Sequence, residues 1–245
     1  MYTTKTVMVP RQDSELPVHR WIPTQPPRAG VVIVQEIFGV STYIRQRAAD
    51  LAREGYVVDV PDLYFRLADP VVADDDPELL ARGMELMAHT PWEQAARDLL
   101  AATSRLKSDL PALAATDRLA CVGFCYGGGL AYAAAADAEA NGSSPIDALV
   151  SYYGSALPTL LDRHVRVPSL HHFGTADQFI PMDQVEQIRA HVEADGARFR
   201  LYEGADHAFD NSLPAFHHAD ASREAWEETV TFLRSMLDPA EEDSR

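Results

Sequence analysis

Short unbroken apolar runs alternate along this chain with segments whose apolar residues recur three or four positions apart, a pattern that predicts strands and helices in turn. The clearest run is Val31-Val-Ile-Val34, followed by Tyr56–Val60, Leu119–Val122, Ala148–Tyr153, Val167–Phe173 and Arg198–Glu203. Branched residues without polar interruption suit parallel strands covered on both faces. The helical segments are Thr42–Glu54, with Ile44, Ala48 and Leu51 on one face and Gly55 as its cap, then Pro91–Lys107, the alanine-rich Leu130–Ala136, Pro181–Asp195 and Pro214–Leu237. Residues 3–9 and 16–22 flank Arg11-Gln-Asp-Ser14 and predict an antiparallel hairpin at a sheet edge. An acidic, proline-punctuated loop, Leu67–Asp76, precedes a short helix over Pro77–His89, which is the lid candidate.

Strand and helix in strict alternation give an α/β fold with a doubly wound, mostly parallel sheet flanked by helices and an N-terminal antiparallel hairpin. No linker-like stretch divides the 245 residues, so the expectation is one domain over 1–237, followed by a charged, disordered tail over 238–245. With 47% apolar residues the chain can bury a full core. The formal charge of -16 argues against nucleic acid as a partner, because phosphate binding needs a basic patch. The N-terminus lacks the apolar core of a signal peptide, and no run approaches the roughly 18 apolar residues of a membrane span. Two cysteines four residues apart, Cys121 and Cys125, form neither a disulfide framework nor a zinc spacing. The chain is therefore expected to be cytoplasmic and monomeric, with no metal, cofactor or membrane partner.

Chemistry gathers at Leu119-Ala-Cys-Val-Gly-Phe-Cys-Tyr-Gly-Gly-Gly-Leu130. A strand breaks at Gly123, presents Cys125 and passes through Gly127 into a helix. Such a Gly-x-nucleophile-x-Gly turn strains its central residue and sets a thiol at a helix N-terminus, where the macrodipole favours thiolate. The plainer alternative is a small buried cysteine in a glycine-rich connection.

Two later strands end near Gly174-Thr-Ala-Asp177 and Gly204-Ala-Asp-His207, giving the order Cys125, Asp177, His207 along the chain. That is the order in which an α/β-hydrolase sheet supplies a catalytic triad. A thiol of pKa about 8.5 is only partly ionised at neutral pH, so a histidine must accept its proton and a carboxylate must hold the ring. Among nine histidines, His207 alone stands in the loop after the last strand. A metal reading from His171, His172 and Asp177 fits poorly, since adjacent histidines in a strand face opposite ways. Glu36 follows the first strong strand at its carboxyl edge, where ligands bind in open α/β sheets, and the flanking Ile37 and Phe38 argue for its partial burial.

Taken together, Gln35-Glu-Ile-Phe-Gly39, Gly123-Phe-Cys-Tyr-Gly-Gly128, Gly174-Thr-Ala-Asp177 and His207-Ala-Phe209 resemble the dienelactone hydrolase family, also called carboxymethylenebutenolidases, from about residue 5 to 237. The resemblance implies an α/β-hydrolase fold, with Cys125 as nucleophile, His207 as base and Asp177 as its orienting partner. It implies that Glu36 contacts the resting thiol and is displaced by substrate, and that the backbone N–H groups of Ile37 and Tyr126 form the oxyanion hole. The activity implied is hydrolysis of a small-molecule carboxylic ester or lactone through a thioester. One departure concerns substrate. Asn211 stands where family members that process dienelactone carry an arginine four residues after the catalytic histidine, and Arg82 is only near a second family arginine on the lid. A neutral amide weakens carboxylate recognition. Arg82, Tyr64, Trp92 and Asn211 are the substrate-binding candidates. Two competing readings are a non-catalytic α/β-hydrolase-like binding protein and a thiol hydrolase acting on other acyl bonds.

Overall fold

The computed structural model describes residues 1–238. The tail expected over 238–245 lies, beyond Asp238, outside the described residues. Eight strands form one sheet in the order β1-β2-β4-β3-β5-β6-β7-β8. They are β1 Tyr2–Pro10, β2 Glu15–Pro23, β3 Gly30–Val34, β4 Val57–Pro61, β5 Leu119–Phe124, β6 Ala148–Tyr152, β7 Ser169–Gly174 and β8 Arg198–Tyr202. β1 pairs antiparallel with β2, and β2 with β4, while every other pairing is parallel.

All residues of β3, β5, β6 and β7 are buried, which is why their sequences run apolar without alternation. Helices cover both faces. On one side α1 (Thr42–Arg53) meets α6 (Ala219–Leu237), where the Arg47 guanidinium donates to Ser222 Oγ and lies 4.3 Å above the Trp226 ring. On the other lie α3 (Trp92–Leu113), α4 (Tyr126–Ala140) and α5 (Met182–Ala194), with the Tyr132 hydroxyl of α4 against the His191 ring of α5. The short α2 (Leu79–Ala88) caps the carboxyl edge of the sheet. Among the described residues, no helix is long and apolar enough to cross a membrane.

Several boundaries differ from the sequence expectation, and three of them have a clear physical reason. The helix expected from Pro214 starts at Ala219, because His218 is extended at φ -116° and its ring accepts from the Ala221 N–H as an N-cap. α3 continues through Pro111 to Leu113, six residues past Lys107, because Leu106 and Leu110 press against β3 at Gly30. α4 begins at Tyr126, four residues before Leu130. The three poor helix formers Gly127, Gly128 and Gly129 hid this start, but a Cβ on any of them would overlap its neighbours. Tertiary packing overrides propensity here.

Candidate active site

β5 delivers Cys125 into a backbone of φ 52° and ψ -117°, a conformation that a non-glycine residue adopts only when its surroundings force it. The flanking glycines explain how. A Cβ on Gly123 would strike the Gly127 carbonyl, and one on Gly127 would strike the Val34 and Gln35 carbonyls, so α4 and β3 can close around the turn only with both side chains missing. The turn is pinned by the Cys125 N–H donating to the Tyr152 carbonyl at 3.0 Å, and by the Cys125 carbonyl accepting from Gly128 at 3.0 Å and Gly129 at 3.3 Å.

Two further loops meet the sulfur. The ring nitrogen Nε2 of His207 lies 3.1 Å from Cys125 Sγ, and its Nδ1 lies 2.8 Å from Asp177 Oδ2. The carboxylate is itself held, since Asp177 Oδ1 accepts from the N–H groups of Phe179 at 2.8 Å and Ile180 at 2.9 Å. With Nδ1–H donating to Asp177, Nε2 is left to exchange a proton with the sulfur. Burial lowers the His207 pKa, but the facing Cys125 sulfur and the Asp177 carboxylate more than offset it and raise it to about 10. Asp206 ties the two loops together, accepting from the backbone of both Gln178 at 3.0 Å and His207 at 2.7 Å.

Glu36 is buried, 1% exposed, at the end of β3. Its Oε2 accepts from Asn211 Nδ2 at 2.8 Å, whereas its Oε1 has no hydrogen-bond partner among the described residues. Burial, against the Asn211 hydrogen bond, pushes its carboxyl up to about 8. Among the described residues no hydrogen bond joins Glu36 to the resting thiol. Asn211 engages the carboxyl, and the sulfur's hydrogen-bond partner is His207. The N–H groups of Ile37 and Tyr126 donate to no protein acceptor among the described residues, as donors reserved for an external oxygen would.

A cavity of about 470 Å³ opens over the sulfur, bounded by Glu36, Cys125, His207 and the underside of α2. The substrate-binding candidates fall elsewhere. Arg82 is exposed on the far side of α2, in a separate surface depression with Asp69 and Glu85. Leu80, Met84 and Met87 recur at helical spacing on the cavity side, and Arg82 is out of phase with them. Tyr64 is wholly buried and Trp92 half-buried, and both rings pack on Tyr126, with centroids 6.4 and 5.4 Å away. Asn211 bounds no part of the cavity and holds Glu36 instead.

Sequence reasoning missed several residues around the site. Phe179, 64% exposed, sets its ring 5.0 Å from that of His207 across the mouth. Tyr153, at φ 37°, packs its ring 5.1 Å from His207 on the buried side. Asp210, three residues past His207, accepts from the Tyr43 hydroxyl, the Arg47 guanidinium and Ser222 Oγ, which fastens the His207 loop to α1 and α6. The aromatic at 179 follows directly after Asp177-Gln178, a cue that the sequence did hold. His171 and His172 face opposite sides of β7 as expected. His172 meets Tyr202 and Thr229, and neither histidine joins Asp177. Among the described residues, His164, His191 and Asp195 are the group close enough to share a metal ion, and none of them bounds the cavity.

The family model of the "Dienelactone hydrolase family" matches residues 17–237. The carboxymethylenebutenolidase of Pseudomonas sp. strain P51 is 30% identical over 221 residues, 89% of each chain. A crystal structure of a "Putative Dienelactone Hydrolase" from Klebsiella pneumoniae is 29% identical and superposes with a TM-score of 0.78 over 95% of this chain and 98% of that one. A dienelactone hydrolase structure from Anabaena variabilis, at 19% identity and a TM-score of 0.67 over 96% and 99%, adds likeness of fold alone. This chain belongs to the dienelactone hydrolase family, hydrolases built on the α/β-hydrolase fold.

Proposed function

We propose that the chain hydrolyses carboxylic esters or lactones through a thioester on Cys125, with His207 as the base and Asp177 as its orienting partner. The observation that carries this reading is the unbroken line from Asp177 Oδ2 through the His207 ring to Cys125 Sγ, at 2.8 and 3.1 Å. His207 Nε2 takes the thiol proton, and the sulfur adds to the substrate carbonyl carbon. The new oxyanion is met by the N–H groups of Ile37 and Tyr126, donors whose removal typically costs a hundredfold or more in such sites. As the tetrahedral adduct collapses, the carbon–oxygen bond breaks and the leaving alkoxide or enolate takes the proton from Nε2. Water then gives a proton to His207 and adds to the thioester, and collapse releases the acid and restores the thiol.

Glu36 stands beside this path held by Asn211. With its carboxyl raised to about 8 by burial, it is mostly protonated at neutral pH and so does not oppose negative charge developing on sulfur. The test is turnover of a short-chain chromogenic ester by wild type and Cys125→Ala. The variant should lose at least about a thousandfold in kcat, by analogy with nucleophile deletions elsewhere. A variant within tenfold of wild type would remove Cys125 from the reaction.

A further inference from the structure

The cavity over Cys125 offers no cation free to meet a substrate carboxylate, because its one basic side chain, His207, is already engaged by Cys125 and Asp177. It is enclosed by Ile37, Phe38, Met84, Met87 and Phe216, and the ionisable groups on its wall besides Cys125 are Glu36, Asp206 and His207, with neither lysine nor arginine. Arg82, the cation borne by the covering helix, points into a different depression. Six large apolar side chains are exposed among the described residues, Met1, Met8, Val71, Leu80, Met84 and Phe179. Three of these six, Leu80, Met84 and Phe179, stand on the wall of this one cavity. Exposed apolar groups gathered at a concave site mark the surface a ligand covers.

α2 supports the same view. Gly83 alone among its residues is buried, and a Cβ there would press on the Ile37 and Phe38 side chains at 2.9 Å. The roof therefore sits directly on the segment that carries the Ile37 N–H, and its apolar side chains face the cavity.

We infer, resting on the hydrolase reading above, that the substrate is an ester or lactone whose remaining body is uncharged and apolar, and that a carboxylate in that body is rejected. The physical reason is one of sign and solvation. A carboxylate entering this cavity would lose water, find neither lysine nor arginine and face the Asp206 carboxylate, while the His207 ring is already held by Cys125 and Asp177. An alkyl or aryl group instead leaves water for apolar walls, with a gain that grows with each methylene. At about 470 Å³ the cavity is of the size that takes a small organic molecule.

The experiment compares p-nitrophenyl acetate, butyrate and hexanoate with p-nitrophenyl monoadipate, which has the hexanoate chain length and ends in a carboxylate. On wild type, kcat/KM should rise up to about fourfold per methylene from acetate to hexanoate. It should fall at least a hundredfold from hexanoate to monoadipate. Met84→Arg, which places a cation on the wall, should raise the monoadipate-to-hexanoate ratio at least tenfold. Equal rates on the two six-carbon esters, or an unchanged ratio in Met84→Arg, overturn the inference. If those rates are equal yet depend on Cys125, the apolar specificity fails and the nucleophile assignment stands; if turnover survives Cys125→Ala, the nucleophile assignment fails instead. A readout independent of turnover is alkylation of Cys125 by iodoacetamide. Hexanamide should slow it and the adipic acid half-amide should not, and equal protection by both contradicts the proposal.

Discussion

The floor and the roof of the cavity are built in opposite ways. On the floor, Cys125, Asp177 and His207 come from three loops, and each is fixed by polar bonds to a neighbouring strand or loop. The roof, α2, has no side-chain cap at its N-terminus and one buried residue, Gly83. What the difference teaches is a division of labour. Reacting atoms need placement to a fraction of an ångström, which hydrogen bonds between buried groups supply. Choosing an apolar substrate needs surface rather than geometry, and a lightly anchored helix suffices.

The contrast yields an ordered set of outcomes. The largest concerns the floor. Asp177→Asn keeps the shape but reverses the hydrogen-bond sense toward His207 Nδ1, and kcat should fall by about 10³ to 10⁴, as removal of the orienting carboxylate does in a serine triad. Steady-state kinetics beside a thermal melt checks that the fold survives, and a loss under tenfold would make the Asp177–His207 bond incidental.

Next comes the brace behind the floor. Asp210→Ala leaves the Arg47 guanidinium, 14% exposed, with only the longer 3.4 Å contact to Asp50, and breaking such a buried pair from one side costs about 3 kcal/mol. Urea unfolding should show it. An equivalent cut in the exposed Arg223–Glu224 pair should cost at most about 1 kcal/mol.

Glu36 gives a pH-dependent effect of intermediate size. Its folded pKa of about 8 lies above the ordinary 4.5, so the folded state holds a proton that the unfolded chain has released between those values. Its contribution to stability is thus fully present below pH 4.5 and is lost as pH rises through about 8, each pK unit being worth about 1.4 kcal/mol. Glu36→Gln removes that slope. The difference in stability between variant and wild type should therefore shift toward the variant by a few kcal/mol between pH 5 and pH 9. A pH-independent difference would mean that the Glu36 carboxyl is ionised in the fold.

The smallest change belongs to the roof. Met84→Ala should leave stability within about 0.5 kcal/mol, because the side chain is half exposed. KM for p-nitrophenyl hexanoate should rise about three- to fivefold from lost apolar contact. A stability loss comparable to that of Asp210→Ala would erase the distinction between the two regions.

How much of this the sequence carried follows from which forces write a local signature. Strand ends followed by chemistry-bearing loops are local, so Cys125, Asp177, His207 and Glu36 could be read in order, and the structure brings Glu36, Cys125 and His207 to one cavity with Asp177 behind the His207 ring. The Asp210 brace was not legible. Arg47 is a charged residue on a helix, and only tertiary packing turns it from solvent to the Trp226 face. The early start of α4 was masked by glycines chosen for close approach rather than helicity. Arg82 failed as a pocket residue for a reason that the sequence contained. Leu80, Met84 and Met87 define the inward stripe of α2 by spacing alone, and position 82 lies off it. The rotamer-level choice of Asn211 for Glu36, rather than the thiol, has no counterpart in sequence pattern.

The most direct measurement is a rapid acid quench of wild type turning over p-nitrophenyl butyrate, followed by peptide mass mapping. The account predicts a butyryl adduct on the peptide containing Cys125, formed within the first turnover and absent from Cys125→Ala. Steady turnover with no acyl mass on that peptide, together with undiminished hydrolysis by Cys125→Ala, would contradict it.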